Sequence, residues 1–367
     1  MDEHKTNGMT EFLRREIRAW DGMFVDRIYK KARKKRKWMM LATAAAALCM
    51  IAVAVFIWAP WGHGEPPTPQ PDGAGAGSGQ QMETVQKEQS ETEESMPETT
   101  APPEHDPYAY DFSAVPSGAI PIVPMDMTAK NHPVNQTDRV IDMQEVLEAV
   151  CKIPAARGQI SVLIIHTHTG EGYNQNGALY LEEDDAEFAR SADGSDGVVA
   201  VGECFARILN EAGIGTIHCK TVFDGESNRE AYVRAADAIA AFQKAYPSLI
   251  CVIDLHRAAS TNQEGHIVRS LAVQNGESIA QTQLICGMSA EGTSKTNLAL
   301  AMQLHQHMNQ AFSGSCAGVI CKEQTLNQDL APFCLTMEIG SSGNTPEEAL
   351  SGAEVAARAV CELFEKR

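Results

Sequence analysis

Six residues have types and spacings suited to hydrolytic chemistry: His166, His168, Glu171, His256, Arg257 and Glu338. His168 and Glu171 form an H-x-x-E pair where the apolar run of "ISVLIIHTHTGEGY" stops. His256 and Arg257 end "CVIDLHR", and Glu338 lies in "CLTMEIGS". A hydrolytic zinc takes three protein ligands of His or carboxylate type and keeps one position open for water. It lowers the pKa of that water to about 7, and a carboxylate must still move the proton. His168, Glu171 and His256 are the expected ligands, and Glu338 the expected proton acceptor. His166, two residues from His168 and so on the same side of a strand, is an alternative ligand or a residue beside the scissile group. Asp254 could orient a ligand from behind, and Arg257 or backbone donors could steady an oxyanion. His218 lies inside a strand, and His305 and His307 on a helix; all three read as structural or surface residues.

These residues need elements that bring distant segments to one place. Strand-like runs occur at "ISVLIIHTH", "IGTIHCKT", "LICVIDLHR", "TQLICGM" and "FCLTMEIG". Helical periodicity fills several gaps between them. "VAVGECFARILNEAG" puts Val201, Phe205, Ile208, Leu209 and Ala212 on one face, and "NREAYVRAADAIAAFQKAY" and "TNLALAMQLHQHMNQAF" repeat the pattern. The last helix announces its start with Thr345 as N-cap, Pro346 at the first position and Glu348 three after the cap. Continuous apolar strands alternating with amphipathic helices predict an α/β fold, a mostly parallel sheet covered by helices on both faces. Sites in such sheets form beyond the carboxyl ends of the strands, which is where "HTH", "DLHR" and "MEIGS" deliver their polar side chains. Each motif alone is a weak signal. Their convergence on one edge is the argument.

The rest of the chain predicts where such a domain sits. Residues 38–61 hold no charged side chain, and Trp38, Trp58 and Trp61 bracket them. A run of that length crosses a hydrocarbon core of about 30 Å as a helix. A signal peptide is the competing reading, but the run is long and its basic leader extended. Residues 1–37 carry 12 Lys and Arg against 6 Asp and Glu, which predicts that they stay cytosolic and that the protein sits in the cell membrane with its catalytic domain outside. Residues 62–115, rich in Pro, Gly, Thr and Glu, read as a flexible tether, and residues 116–367 as the catalytic domain. Because the leader is basic, the portion beyond the span is more acidic than the chain's net charge of −18, which argues against a nucleic-acid partner. Beyond the span lie nine cysteines with no C-x-x-C pair; they suit small core hydrophobes better than a disulfide framework or a thiolate metal site.

"VLIIHTHTGEGY", "CVIDLHR", "TLNQDLAP" and "MEIGSSGNTPEEAL" together resemble the stage II sporulation protein P family, over roughly residues 120–365 and in the expected order. The resemblance implies the fold of the zinc-dependent N-acetylmuramoyl-L-alanine amidases and the hydrolysis of peptidoglycan during engulfment. An endopeptidase activity is also attributed to the family. It further implies two partners, a sporulation D-type lytic transglycosylase and an M-type membrane anchor protein. By position, the family's essential histidines fall on His166 or His168 and on His256, and its essential glutamate on Glu338. Three departures stand out. The family's Ser-Glu-Ser after "HTHT" is Gly170, Glu171, Gly172 here; its aspartate after His-Arg is Ala258; its histidine in "NQHL" is Asp329. A zinc carboxypeptidase or deacylase acting on exported peptides, or a wall-binding scaffold that lost the chemistry, remain the competing readings.

Overall fold

The computed structural model describes residues 106–365 apart from 129–132, 150–151, 157, 183–187, 192–196, 226–229 and 291. The expected basic segment, membrane span and most of the tether lie outside the described residues. Among the described residues, no helix is long and apolar enough to cross a membrane.

Eleven strands follow in chain order: β1 (Ile120–Met125), β2 (Val134–Asn135), β3 (Ile160–Ile165), β4 (Tyr180–Leu181), β5 (Gly215–His218), β6 (Cys251–Ala258), β7 (Ile267–Gln274), β8 (Glu277–Ala280), β9 (Thr282–Gly287), β10 (Cys316–Lys322) and β11 (Phe333–Ser341). Seven of them form one sheet in the order β2-β10-β9-β11-β6-β3-β5. The helices are α1 (Met143–Glu148), α2 (Val198–Glu211), α3 (Ala231–Ala245), α4 (Ser294–Ala311) and α5 (Pro346–Cys361).

This sheet is mixed, which corrects the expectation of a mostly parallel one. β11, β6, β3 and β5 run one way; β9, β10 and β2 run the other, and the two groups meet at the antiparallel β9–β11 pair. The cause is a missing crossover. A parallel return needs a long connection, normally a helix. β9 follows β8 after the single residue Gln281, so its direction is inherited from the β7–β8 hairpin. That hairpin turns at Asn275 and Gly276, both at positive φ (53° and 79°), the two-residue turn whose twist matches the strands. Where a helix does intervene, as α4 does between β9 and β10, the pair is parallel.

A second sheet, β4-β1-β7-β8, joins β1 and β7 in parallel and is antiparallel at its other two junctions. Residues 106–115, assigned to the tether from composition, already hold onto this part. Tyr108 Oη donates to Leu271 O (3.3 Å), and Tyr110 Oη to Leu179 O.

Helices cover both faces of the larger sheet, as expected. Val162 and Ile164 of β3, Ile253 and Leu255 of β6, and Met337 and Ile339 of β11 share one core cluster with α2, α4 and α5. The alternate residues Leu163, Ile165 and Val252 are buried outside that cluster, as are Ala235, Ile239 and Phe242 of α3, and α3 packs on β3. On α2, Phe205, Ile208 and Leu209 are buried, each contributing about 1.5–3 kcal/mol. α5 starts as its sequence predicts: Thr345 and Glu348 form a reciprocal capping box with Pro346 in the first turn.

Candidate active site

Strand parity builds the site. Along β6 the side chains alternate, so Leu255 enters the α2 layer while Asp254 and His256 face the α3 side. On the neighbouring β11, Thr336 lies opposite Asp254 and Glu338 opposite His256. Asp254, His256 and Glu338 therefore share one face at the end of two adjacent parallel strands.

The turn after β3 brings the other half. The backbone N–H of Thr167 donates to Asp254 Oδ1 (2.9 Å), and its hydroxyl to Asp254 Oδ2 (2.6 Å). This anchor swings the chain so that His168 stacks edge-on to His256, with ring centroids 5.4 Å apart, and lies 5.7 Å from the ring of Tyr232 on α3. Glu171 follows one turn later. Its Oε2 accepts from the Arg257 backbone N–H (3.0 Å) and stands 3.2 Å from His256 Nδ1.

Charge is concentrated here. Burial opposes a proton on His256, but Asp254 and then Glu171 outweigh it and hold its pKa well above the usual histidine range. Burial likewise works to raise Glu171 and Asp254, yet the facing His256 brings both below the usual carboxylate range. Glu338 behaves differently. Burial raises its pKa, only partly offset by Lys322 and His256, the direction that suits a carboxylate which must take and return a proton.

Not every expected residue joins the cluster. His166 continues the parity of Val162 and Ile164 and points into the α2 layer, 0% exposed. Its Nδ1 is 2.8 Å from Leu255 O and its Nε2 is 2.8 Å from His218 Nε2. The expectation that His166 and His168 share a side fails because alternation holds only while the strand lasts, and β3 ends at Ile165. Arg257 is also committed elsewhere. Its guanidinium donates to the carbonyls of Gly172 (3.0 Å), Ala258 (3.3 Å) and Ala189 (3.3 Å), the position of a loop clamp rather than of an oxyanion donor. His305 is buried on α4 beside Asn309, as a core residue would be.

Two further groups belong to the site and were not singled out from the sequence. Tyr232 stands over His168 with no motif to mark it. The segment 189–191 pairs with the turn 170–172: Gly172 N–H donates to Ala189 O (2.8 Å) and Ser191 N–H to Gly170 O (3.1 Å). The glycines at 170 and 172 make this possible, since a Cβ at Gly172 would stand 2.8 Å from the Arg190 carbonyl carbon. The "TLNQDLAP" loop is pinned by Gln328, whose amide donates to Ile285 O and Thr336 Oγ1 (both 2.8 Å), and by Asn327, which donates to Tyr232 O (2.8 Å).

The donor set suits zinc in kind: two imidazoles and one carboxylate. Ligands of one tetrahedral zinc, at about 2.0–2.1 Å from it, stand about 3.3 Å apart, close to the 3.2 Å between Glu171 Oε2 and His256 Nδ1. The other ring nitrogen, His256 Nε2, is buried without a directed hydrogen bond, although Asp254 Oδ2 is 3.1 Å away. The third donor is less ready. Among the described residues no three such groups stand spaced to hold an ion as they are, and His168 presents its ring edge-on to His256.

No curated protein matches the chain at a significant level. Among solved structures, it is similar to the N-acetylmuramoyl-L-alanine amidase AmiC2 of Nostoc punctiforme: 14% identity over 56% of this chain and 98% of that one, TM-score 0.34. An N-acetylmuramoyl-L-alanine amidase from Clostridium difficile 630 is 14% identical over 56% and 94%, TM-score 0.33. The CwlD amidase from Clostridioides difficile, solved with the GerS lipoprotein, is 12% identical over 55% and 94%, TM-score 0.33. Such distant likenesses carry no weight by themselves. The family model described as stage II sporulation protein P does, since it spans residues 71–361 and so takes in every motif of the site: this chain belongs to the stage II sporulation protein P family.

Proposed function

We propose that this protein is a membrane-anchored, zinc-dependent peptidoglycan hydrolase that cuts the amide between N-acetylmuramic acid and the L-alanine of the stem peptide during sporulation. The observation that carries the reading is the grouping of Glu171, Asp254 and His256 on the strand face that also presents Glu338, directly opposite His256. Family membership supports the substrate and the setting.

His168, Glu171 and His256 would hold the zinc, which when bound polarises the amide carbonyl and acidifies water. The chain's own residues do the rest. Glu338 accepts the water proton at its carboxylate and returns it to the departing alanine nitrogen. Asp254 fixes both His256 and the turn that carries His168. Arg257 fixes Glu171 through its N–H and the surrounding loop through its guanidinium. The charge-free run 38–61 would anchor the protein with residues 1–37 in the cytosol, and a D-type lytic transglycosylase and an M-type anchor protein are the partners proposed.

The test is a digest of purified muropeptides with and without added zinc. Free lactyl-muramic ends that depend on zinc uphold the amidase reading. Shortened stems with intact lactyl amides turn it into a carboxypeptidase or endopeptidase. A folded protein that takes up no metal and cuts nothing turns it into a wall-binding scaffold, the reading favoured by the edge-on His168 and by Ala258 and Asp329.

A further inference from the structure

The site is crowded with carboxylates. A substrate whose peptide side carries carboxylates would meet Glu171, Asp254 and Glu338 in an acidic chain, and a compensating cation is needed. Arg257 does not supply it, because its guanidinium is held by three backbone carbonyls. Lys220, on the segment after β5, is paired with Glu203.

Arg190 differs from both, and also from Lys322 at the end of β10, whose charge already acts on Glu338. It is exposed, and no ion pair holds it among the described residues. Its backbone forms an isolated β-bridge with Glu171, which sets it directly beside the proposed ligand. Its side chain lies back over the "HTHTGEG" turn: a Cβ at Gly170 would stand 2.8 Å from Arg190 Nη2 and 3.2 Å from Asp224 Oδ2. The preceding residue, Ala189, adopts φ +52°. A left-handed alanine costs about 1 kcal/mol or more and persists where the surroundings over-determine it. Here they do, because Ala189 O accepts from both Gly172 N–H and Arg257 Nη2. Three features thus act together: the missing side chain at Gly170, the strained Ala189 and the Arg257 clamp all deliver one exposed guanidinium to the rim of the site.

We propose that Arg190 is a specificity-determining residue that receives a carboxylate on the peptide side of the substrate through its guanidinium. The inference rests on the hydrolase reading for its substrate class. A guanidinium presents paired N–H donors that match a carboxylate, and the contact is charge-assisted. Glu171 and Arg190 then have separate roles. Glu171 would hold the metal, and Arg190 registers the acid further along the peptide.

The experiment uses the full chain with two soluble N-acetylmuramoyl-peptides, one with free peptide carboxylates and one with the same carboxylates converted to amides. Binding is followed by calorimetry and cleavage by product release. The wild type should bind the acid form about tenfold more tightly. Arg190→Gln should lose that preference through KM or Kd, with kcat changed less than about twofold, and Arg190→Lys should restore part of it. Equal affinity of the wild type for the two fragments overturns the proposal, and so does an Arg190→Gln loss that falls equally on both. Preference in binding without any cleavage upholds the carboxylate contact while sinking the hydrolase reading, so the two fail separately.

Discussion

Two histidine pairs sit within a few residues of each other and behave in opposite ways. His168 and His256 meet edge-on at the rim, among Glu171 and Asp254. His166 and His218 meet in the α2 layer, with rings at 5.0 Å and Nε2 atoms at 2.8 Å. Burial drives His166 down to about 4 and His218 well below its usual range, which favours the uncharged form of both rings. His166 Nδ1 must then donate to Leu255 O, which leaves its Nε2 to accept from the Nε2–H of His218. Among the described residues His218 Nδ1 is left buried with no partner. At the rim, the facing carboxylates outweigh burial and push His256 the other way, upward. Residue type does not decide what a histidine does in this fold; the neighbours do.

The largest effect that could break this comparison is catalytic. Glu338→Ala should lower muropeptide cleavage by about 10²–10⁴-fold while the protein still folds and takes up zinc; cleavage at wild-type rate would remove Glu338 from the chemistry. Next comes metal affinity. Asp254→Asn should weaken zinc binding by about 10–100-fold, read by competition with a chelating dye, because Asp254 orients both His256 and the His168 turn. An unchanged affinity would mean that this carboxylate only shapes the sheet end.

The inner pair should answer in stability instead. His218→Leu leaves His166 Nε2 without its donor and should cost about 1–3 kcal/mol in denaturant unfolding, with zinc uptake kept. Loss of zinc uptake in that variant would make the inner pair part of the metal site and erase the contrast. Gly202→Ala sharpens the same point. A Cβ there would collide with Nε2 of both His166 and His218, and overpacking should cost about 1–3 kcal/mol. Thermal unfolding at wild-type temperature would show that the two rings can move apart.

Much of this was legible in the sequence where local rules dominate. The α5 start at Thr345 and Glu348 is a short-range hydrogen-bond pattern, and the α2 stripe of Val201, Phe205, Ile208 and Leu209 is plain periodicity. The motifs "DLHR" and "MEIGS" also come out as placed, on parallel neighbours in register. What could not be read was long-range. β9 looks like the other strands, and its reversed direction depends on Gln281 having no room for a crossover. Asn-Gly at 275–276 is a hairpin signal, but β7 and β8 alternate too weakly to claim a second sheet. His166 misled for a physical reason: the period of two was carried on to His168, three residues past the strand's last residue, Ile165. Arg190 has no motif. Only the pairing of residues 189–191 with 170–172 brings it to the site.

The passage of the chain from β8 to β9 through Gln281 has a mechanical consequence. The Gln281 amide nitrogen shares its two hydrogens among Asp126 Oδ1, Thr128 Oγ1 and Gly314 O, and its oxygen accepts from Met127 N–H and the Ser270 hydroxyl. One amide therefore fastens the junction where β8 of one sheet passes into β9 of the other, and tension on either should reach the other without any hinge to absorb it. Extra residues spliced at the Asn275–Gly276 tip would hang free, whereas the same splice at 281 would unzip both layers together.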